Sequence, residues 1–403
     1  MEFIKWEKGI VNQMNTKVGI VSLYHGSQNY GGVLQAYALT RVVNDMGYHA
    51  YQIDYDATQN DKSKVSGKKA LTLYLKEHSI FQLLQKSMKG TAKRVYAKLY
   101  ARELHSSFAQ RAEVFRMFRE EQIQHSETVN HETVGKLCQD TDQFICGSDQ
   151  IWKPTVIDDV YTLDFGVRAG KNCISYAASL SVKRIDYAQK ADYSAWLDQL
   201  NCISVREIAA QELLQGLTKN EIQWVCDPVL LLTKQQWCEV ATTPPSFGKY
   251  LFCYFLGDDR KHRVWARKYA EKHGLKIIAL PNLQQEPRWV DAHFGDMQLY
   301  DVSPFDFVNL ILHAELVMTD SFHATALSLN MGTPFYVFDR SSIQSMNDRI
   351  TSLLELTACT DHFISDYKQM KDPSNASYNT SVVTKALDKH RASSMVYLKE
   401  ALL

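Results

Sequence analysis

Residues 18–39 read VGIVSLYHGSQNYGGVLQAYAL, and this stretch decides the fold. Its mostly apolar start predicts a buried strand, the glycine-rich segment 25–32 predicts a tight turn, and the remainder follows helical periodicity. Gly47 ends this helix, and residues 49–55 predict a second strand. Strand, helix and strand in this order predict a βαβ unit of a parallel sheet, whose ligands bind at the carboxyl ends of the strands.

The same alternation of short apolar strands and helices continues along the chain. Further strands are predicted at 143–146, 172–177, 202–205, 229–232, 250–255, 276–280, 316–318 and 335–338. Further helices are predicted at 259–273, 304–313, 322–330 and 382–402. The adjacent prolines Pro244 and Pro245 disfavour both helix and sheet interior, so we expect a linker at 241–248. The pattern predicts two α/β, Rossmann-like domains with a cleft between them.

The predicted domain boundaries follow from these elements. An N-terminal extension covers 1–16, and the first domain covers 17–243. The second domain covers 244–380, and a C-terminal helix covers 381–403. The sequence leaves open whether that helix packs back on the first domain.

Composition narrows the class of protein. The chain has 403 residues, with 45 Lys and Arg against 45 Asp and Glu, so we expect no nucleic-acid partner. Eight cysteines without a C-x-x-C pair predict reduced thiols in a cytoplasmic protein. The charged N-terminus is unlike a signal peptide, and no apolar run reaches the ~18 residues of a membrane span.

Residues 62–119 carry 14 Lys and Arg against 3 acidic residues, interleaved with apolar side chains at helical spacing. We interpret them as a basic helical hairpin inserted in the first domain. One hypothesis is that the hairpin lies on an anionic membrane surface. The alternative is a solvated hairpin whose apolar stripe packs on the first domain.

Several strand ends carry side chains suited to binding or catalysis. The turn with Asn29, Gly31 and Gly32 predicts an anion seat at a helix N-terminus, and a tight turn without a ligand is the alternative. After the strand at 143–146, we expect Ser148, Asp149 and Gln150 to hold sugar hydroxyls and Trp152 to provide a stacking face. The alternative is a polar strand end.

Arg206 follows another strand and could pair with a carboxylate or phosphate, although a surface pair with Glu207 is the alternative. The strongest local pattern surrounds His323. A buried strand ends at Ser321, and His323 lies in the first turn of the next helix, where an anion would also bind. A buried core histidine is the alternative.

Arg340 and Arg349 follow the strand at 335–338 and could close round an anion, or they could be solvated helix-cap residues. Acidic clusters with metal-ligand spacing are absent from the sequence, so we expect no metal.

Five ordered motifs over residues 17–356 resemble the polysaccharide pyruvyltransferases. They are Asn29-Tyr30-Gly31-Gly32-x-Leu34-Gln35-Ala36-Tyr37, Gly147-Ser148-Asp149-Gln150-x-Trp152, Ser204-Val205-Arg206-Glu207, Asp227-Pro228 and Thr319-Asp320-Ser321-Phe322-His323-Ala324-Thr325. The resemblance implies a two-domain GT-B-type enzyme that moves a pyruvyl group from phosphoenolpyruvate to a sugar, usually as a ketal. Ala324 stands where many members have glycine.

The resemblance assigns roles to these residues. His323 is the expected acid and Arg206 a catalytic cation. Ser321, Arg340, Arg349, Asn29, Gly31 and Gly32 are expected to bind the donor. Ser148, Asp149, Gln150 and Trp152 are expected to bind the acceptor. No cofactor is expected, because phosphoenolpyruvate is a co-substrate.

Two other functions fit the same architecture: a nucleotide-sugar glycosyltransferase, and a non-catalytic carbohydrate-binding protein of a biosynthetic complex. For the acceptor, we expect a sugar of a capsule or exopolysaccharide precursor. A polyprenyl-diphosphate-linked sugar at the inner membrane face and a soluble sugar both remain open.

Overall fold

The computed structural model describes residues 15–59, 104–241, 243–282, 288–340, 347–365 and 377–403. Its strands are β1 (Lys17–Val21), β2 (His49–Gln52), β3 (Gln143–Cys146), β4 (Asn172–Ser175), β5 (Ile203–Val205), β6 (Ile222–Trp224), β7 (Tyr250–Tyr254), β8 (Lys276–Ala279), β9 (Met297–Gln298), β10 (Leu316–Thr319), β11 (Phe335–Phe338) and β12 (Phe363–Ile364).

The α-helices of the described residues alternate with these strands. They are α1 (Tyr30–Asp45), α2 (His105–Gln122), α3 (Asp164–Arg168), α4 (Tyr187–Leu197), α5 (Ile208–Gln215), α6 (Pro228–Leu231), α7 (Lys234–Val240), α8 (Arg260–His273), α9 (Pro304–Leu312), α10 (Phe322–Met331), α11 (Asp348–Leu356) and α12 (Thr380–Ala401).

The first domain contains a parallel sheet in the order β2-β1-β3-β4. The β5–β6 pair continues it, because Ser175 N donates to Cys202 O at 3.0 Å and Asn201 N donates to Cys173 O at 2.8 Å. The order of the strands reverses between β1 and β3, which makes the carboxyl ends of these two strands the expected ligand crevice.

The second domain contains a six-stranded parallel sheet in the order β12-β11-β10-β7-β8-β9. Counted from β7, this is the doubly wound Rossmann order, with its reversal point between β7 and β10. All five residues of β7 are buried, as expected for a central strand covered by helices on both faces.

Helix α1 lies between the two domains. The Tyr30 ring stacks on Phe307 of α9, with centroids 4.4 Å apart and planes 7° from parallel. The Tyr30 hydroxyl also donates to Val302 O at 2.9 Å. One hydrophobic core contains residues of both domains, including Leu34 of α1 and Leu327 of α10. The N-terminus of α1 is therefore held firmly against the second domain.

The C-terminal helix α12 packs on the first domain. Tyr397 donates its hydroxyl proton to Ser175 O at 2.7 Å, and Ser394 Oγ accepts from Cys226 N at 2.9 Å. At the helix end, Asn172 Nδ2 donates to Ala401 O at 2.9 Å. The C-terminal helix therefore packs back on the first domain, a point that the sequence left open.

One predicted strand was wrong. Residues 229–231 belong to the short helix α6, which begins at Pro228, and Leu232 is its C-cap. Asp227 is its N-cap, and Asp227 Oδ1 accepts from Val229 N at 3.0 Å. Four consecutive buried apolar residues carry no periodicity that distinguishes a strand from a helix. The two- and three-residue strands β6, β9 and β12 were not predicted, because they are too short to give a pattern.

Most of the predicted basic hairpin, residues 62–103, lies outside the described residues. Its end is described as part of α2, whose Phe115 and Phe118 are buried. Phe115 contacts the Tyr30 ring at 4.9 Å, and Phe118 contacts the Phe305 ring at 4.7 Å. Within the described ranges, none of the helices is long and apolar enough to span a membrane.

Candidate active site

Two helix N-termini, one from each domain, meet at the cleft. Gly31 lies in the first turn of α1 and His323 in the first turn of α10, and the imidazole lies directly against Gly31. Both helix ends direct the positive end of a helix dipole towards the same place. The sequence identified both turns, and the tertiary structure brings them together.

His323 is paired with a carboxylate of the first domain. It is 6% exposed, and its Nε2 lies 3.6 Å from Asp227 Oδ2. Burial would raise the pKa of Asp227, but the charges of His323 and Arg206 outweigh burial and hold this pKa well below its usual value. The ion pair therefore favours the charged form of Asp227. Asp227 belongs to one of the five motifs, but its sequence context did not indicate this pairing with His323.

Arg206 lies behind this pair, surrounded by three carboxylates. Its NH1 is 2.6 Å from Asp227 Oδ2, its NH2 is 2.8 Å from Asp149 Oδ1, and its Nε is 3.5 Å from Glu207 Oε1. The side chain is completely buried, so the alternative of a surface pair with Glu207 is wrong. In this arrangement Arg206 is fully buried and orients the surrounding carboxylates.

Arg349 contributes a second buried cation, from the start of α11. Its NH1 lies 3.8 Å from Asp149 Oδ1. When the Gln150 side-chain amide is oriented with its oxygen towards Arg349, that oxygen accepts hydrogen bonds from Arg349 NH1 at 3.3 Å and from Arg349 NH2 at 3.2 Å. Burial, and then the charge of Arg206, lower the pKa of Arg349 to about 10. An incoming anion would stabilise the charge of this guanidinium.

Ser321 and Arg340 border the same helix end. Ser321 is the N-cap of α10, and its Oγ accepts from Ala324 N at 3.4 Å. The amides of Phe322 and His323 belong to the first turn, which has no intrahelical acceptor for them. Arg340 follows β11, and its side chain packs against Gly257. A Cβ added to Gly257 would lie 3.1 Å from Cγ of Arg340.

The expected anion seat in the turn of the first domain is already occupied by a side chain. Asn29 Oδ1 accepts from Gly31 N at 3.0 Å and from Gly32 N at 3.4 Å, as an N-cap of α1. A donor anion would have to displace Asn29 to use these amides. The anion-binding role of this turn therefore lacks support from its geometry.

Two arginines of α2 hold the turn from outside, and sequence analysis did not find them. Arg111 NH2 donates to Gln28 O at 3.1 Å, and Arg119 NH1 donates to Ser27 O at 2.7 Å. Arg111 is 1% exposed and lies 4.6 Å above the Tyr30 ring. The basic character of this helix was the available signal, but sequence spacing does not show which basic side chains turn inward.

On the side of the first domain, the cleft contains a polar cavity of about 370 Å³. Its lining comprises Leu23, Gly26, Ser27, Gln28, Asn29, Asp149 and Gln150. Asp149 and Gln150, both expected to contact the acceptor, thus lie at this cavity. Burial would raise the pKa of Asp149, but the charges of Arg206, His323 and Arg349 lower it.

Two other expected acceptor residues are buried away from the cavity. The prediction of Trp152 as a stacking face was wrong, because its ring is completely buried and Nε1 donates to Tyr161 O at 3.2 Å. Ser148 is also fully buried, and its Oγ donates to Ala177 O at 2.8 Å. A strand end can turn its side chains into the core as readily as into a cleft.

The reversal point of the second sheet is filled by a protein carboxylate. Asp320 Oδ1 accepts from Leu256 N at 2.6 Å, and Asp320 Oδ2 accepts from Gly257 N at 2.7 Å. Arg288 donates to Phe255 O at 2.8 Å beside them. In nucleotide-binding Rossmann domains, the amides after the first strand contact phosphate. In the residues described here, no group of three or more His, Cys, Asp or Glu side chains could hold a metal ion.

Two Rossmann-like domains facing across a cleft, with the site between them, define a GT-B-type fold. Solved structures of this shape include UDP-GlcNAc 2-epimerase from Methanocaldococcus jannaschii, with a TM-score of 0.51, 11% identity, and coverage of 93% of this chain and 92% of that chain. Two others have lower TM-scores of 0.44. UDP-GlcNAc 2-epimerase from Neisseria meningitidis is 11% identical, with 93% and 100% coverage, and glycosyltransferase SnogD from Streptomyces nogalater is 10% identical, with 96% and 100% coverage.

The chain belongs to the polysaccharide pyruvyl transferase family, whose sequence model matches residues 29–342. The resemblance inferred from the five motifs is thereby confirmed. The family identifies the protein as a transferase that acts in polysaccharide pyruvylation. A search of curated proteins finds no significant match.

Proposed function

We propose that the protein transfers a pyruvyl group from phosphoenolpyruvate to a sugar of a cell-surface polysaccharide precursor, forming a ketal without a metal. The observation that carries this proposal is the buried His323–Asp227 pair at a helix N-terminus, beside the incompletely compensated Arg349. A proton donor and an anion-binding cation lie within one cleft. This is the combination that an anionic enol ester requires.

The chemistry assigns each group a step. Phosphoenolpyruvate carries a carboxylate and a phosphate, which Arg349, Arg340 and the first-turn amides of α10 would bind. His323 would protonate the methylene carbon, which gives the adjacent carbon oxocarbenium character. A sugar oxygen adds there, phosphate leaves, and a second hydroxyl closes the ketal. Positioned acid–base catalysis supplies ~10²–10⁴ in rate.

Arg206 and Asp227 support this step without touching the donor. Asp227 pairs with Nε2 of the His323 imidazole, so Nδ1 of His323 would face the substrate. Arg206 fixes Asp227 and Asp149 in place through contacts of 2.6 and 2.8 Å. We therefore propose Arg206 as a positioning residue in place of the direct donor contact expected from the sequence.

The alternative of a nucleotide-sugar glycosyltransferase has less support. The amides of Leu256 and Gly257 are bonded to Asp320, so the turn that would bind a pyrophosphate has no free donors there. A non-catalytic sugar-binding protein would have little use for a buried His–Asp pair beside a second cation. Both alternatives remain outcomes of the following experiment.

The test is mass spectrometry of acceptor sugars after incubation with phosphoenolpyruvate and purified protein, in EDTA. The expected product is a pyruvate ketal, accompanied by release of inorganic phosphate. Release of a nucleoside diphosphate from a nucleotide sugar, without use of phosphoenolpyruvate, would support the glycosyltransferase. Sugar binding with no turnover of either donor would support the binding protein. Activity that returns only with magnesium would contradict the metal-free mechanism.

We further propose that the acceptor is lipid-linked and that the protein works in the cytoplasm at the inner membrane face. This rests on the basic composition of residues 62–119, most of which lie outside the described residues. Liposome co-sedimentation tests it, with binding expected to rise with anionic lipid and fall with salt. Indifference to lipid charge would favour a soluble acceptor sugar.

A further inference from the structure

Helix α8 of the second domain presents a strongly basic face to solvent. Its opposite face is buried in the core of that domain through Ala266 and Ala270. Five exposed basic side chains follow one another at helical spacing, with Glu271 as the exposed acid among them and Val264, 54% exposed, in the middle. The five are Arg260, Lys261, Arg267, Lys268 and Lys272. We call this exposed surface of α8 the basic face.

A half-exposed tryptophan borders the basic face. Trp289 is 48% exposed and begins a short 3₁₀ turn that ends at Asp291. The turn is held beside α8, because Arg263 Nε donates to Asp291 Oδ1 at 3.1 Å. A second contact joins the basic face itself to the residues after the turn, since Arg267 NH2 donates to His293 O at 3.5 Å. Cations and an exposed indole therefore share one surface.

The basic face begins at the edge of the second sheet that carries the candidate active site. Helix α8 follows the carboxyl end of β7, where Leu256 N and Gly257 N donate to the Asp320 carboxylate. Asp320 directly precedes Ser321, the N-cap of the helix that carries His323. A partner bound along the basic face would therefore also lie beside the cleft.

An anionic lipid surface fits these features better than a soluble anion does. Each Lys or Arg near such a surface strengthens binding about fivefold. Tryptophan is favoured at the boundary between headgroups and acyl chains, because its ring is apolar and its N–H is polar. A soluble polyanion would pair with the cations but would gain little from contact with Val264 and Trp289.

We propose that the basic face of α8, together with Trp289, is a surface by which the protein binds an anionic membrane. This inference deepens the membrane location proposed above and assigns it to described residues of the second domain. The cleft would then lie close to the headgroups, where a lipid-linked sugar is presented. Only this last step rests on the proposed function, because membrane binding itself requires no turnover.

Co-sedimentation of the full chain with vesicles of phosphatidylglycerol and phosphatidylcholine, without substrates, tests the charges. Lys261→Gln/Lys268→Gln is compared with the control Lys385→Gln/Lys389→Gln, which neutralises two exposed lysines of α12. We expect the α8 variant to bind about tenfold or more weakly than the wild type, and the control to change by less than about twofold. Circular dichroism verifies that both variants are folded.

Trp289→Ala tests the apolar part of the surface. We expect this variant to bind the vesicles roughly fivefold more weakly, and the loss should persist at high salt, where charges are screened. The control is Tyr187→Ala, which removes an aromatic ring that is 90% exposed in the first domain, and it should bind as the wild type does. Unchanged vesicle binding by Trp289→Ala, with polyphosphate binding that depends on Lys261 and Lys268, would indicate a soluble polyanion and overturn the lipid assignment.

The outcomes separate this inference from the proposed function. If the wild type requires anionic lipid and the α8 variant binds as its control does, the basic face is not the contact surface, although the membrane location stands. Wild-type indifference to lipid charge would overturn both. Phosphate release from phosphoenolpyruvate with a soluble acceptor tests the transfer function separately. The α8 variant should retain the wild-type rate in that assay, because neither lysine lies in the candidate active site.

Discussion

The imidazole of His323 lies directly against the backbone of Gly31, which brings the first turns of α1 and α10 together. A methyl group at Gly31 would fall 2.0 Å from His323 Nδ1 and 2.2 Å from Cγ. Gly31 is not among the glycines with positive φ, so the close approach of the imidazole, and no special backbone conformation, requires glycine here. The site therefore depends on the contact between the two domains.

Gly31→Ala should damage catalysis while the fold survives. The new Cβ forces His323 away from its present position, and a misplacement of about 1 Å can cost ~100-fold in rate. The measurement is kcat for phosphate release, with circular dichroism as the test of folding. Gly32→Ala is the control, because its nearest neighbouring atom would be 3.5 Å from the new Cβ. Equal activity of the two variants would mean that His323 is not held at a catalytic position.

His323→Gln should lower kcat far more than it weakens donor binding, because an acid acts chiefly in the transition state. We expect a loss of ~10²–10⁴ in kcat. Calorimetric titration with phosphoenolpyruvate measures the binding separately. His313→Gln serves as control, since the His313 side chain hydrogen-bonds to Asn309 O of α9, at 3.1 Å. Unchanged turnover in His323→Gln would mean that His323 has only a structural role.

Arg206→Ala should lower the free energy of unfolding of the protein more than it weakens donor binding. Removal of the guanidinium leaves Asp149, Asp227 and Glu207 buried without their shared cation, a loss of about 3–5 kcal/mol in the free energy of unfolding. Urea denaturation measures it. The control Arg41→Ala breaks a surface pair with Glu239, worth about 0–1 kcal/mol. A stable Arg206→Ala variant with weakened donor binding would instead support a direct donor contact.

Arg349→Gln should weaken donor binding without lowering stability. The charged form of Arg349 is destabilised by burial and by Arg206, so its loss removes an unfavourable charge from the folded protein. A charge-assisted hydrogen bond to the donor contributes about 1.5–3 kcal/mol, so KM for phosphoenolpyruvate should rise about tenfold or more. Steady-state kinetics tests the expected rise in KM, and thermal melting tests the expected unchanged stability. A clear loss of stability with unchanged KM would contradict the assignment.

Two neighbouring carboxyls should show opposite dependences of stability on pH. The pKa of Asp149 is lowered by folding, so its contribution is present above its unfolded pKa of about 3.9 and is lost as pH falls through the folded value. The pKa of Glu207 is raised, so its unfavourable contribution is present at neutral pH and vanishes as pH falls below about 4.3.

Asp149→Asn should therefore lower the free energy of unfolding at pH 7 and matter less at pH 3. Glu207→Gln should leave the free energy of unfolding at pH 7 equal to or above that of the wild type. Urea denaturation across this pH range measures both variants. If Asp149→Asn were more stable than Glu207→Gln at pH 7, the directions of the two pKa shifts would be contradicted.

The sequence by itself determined the alternation of strands and helices in most of both domains and the positions of the two functional turns. These features are local, because apolar periodicity and glycine placement act within one element and the next. Residues 18–55 predict a βαβ unit, and α1 with strands β1 and β2 confirms it. The five motifs also identified the family, because each motif is a short run of residue types.

The tertiary structure decided which side chains meet. Trp152 belongs to a predicted site motif, yet its ring packs in the core. Residues 229–231 lie in a helix that periodicity could not distinguish from a strand. Arg206 and Asp149 are 57 residues apart in the chain and 2.8 Å apart in space. Such contacts depend on how two sheets and α12 pack together, and that packing is a property of the whole chain. The physical reason is that hydrophobic periodicity specifies which face of an element is buried, whereas the partner it meets there is set by long-range packing.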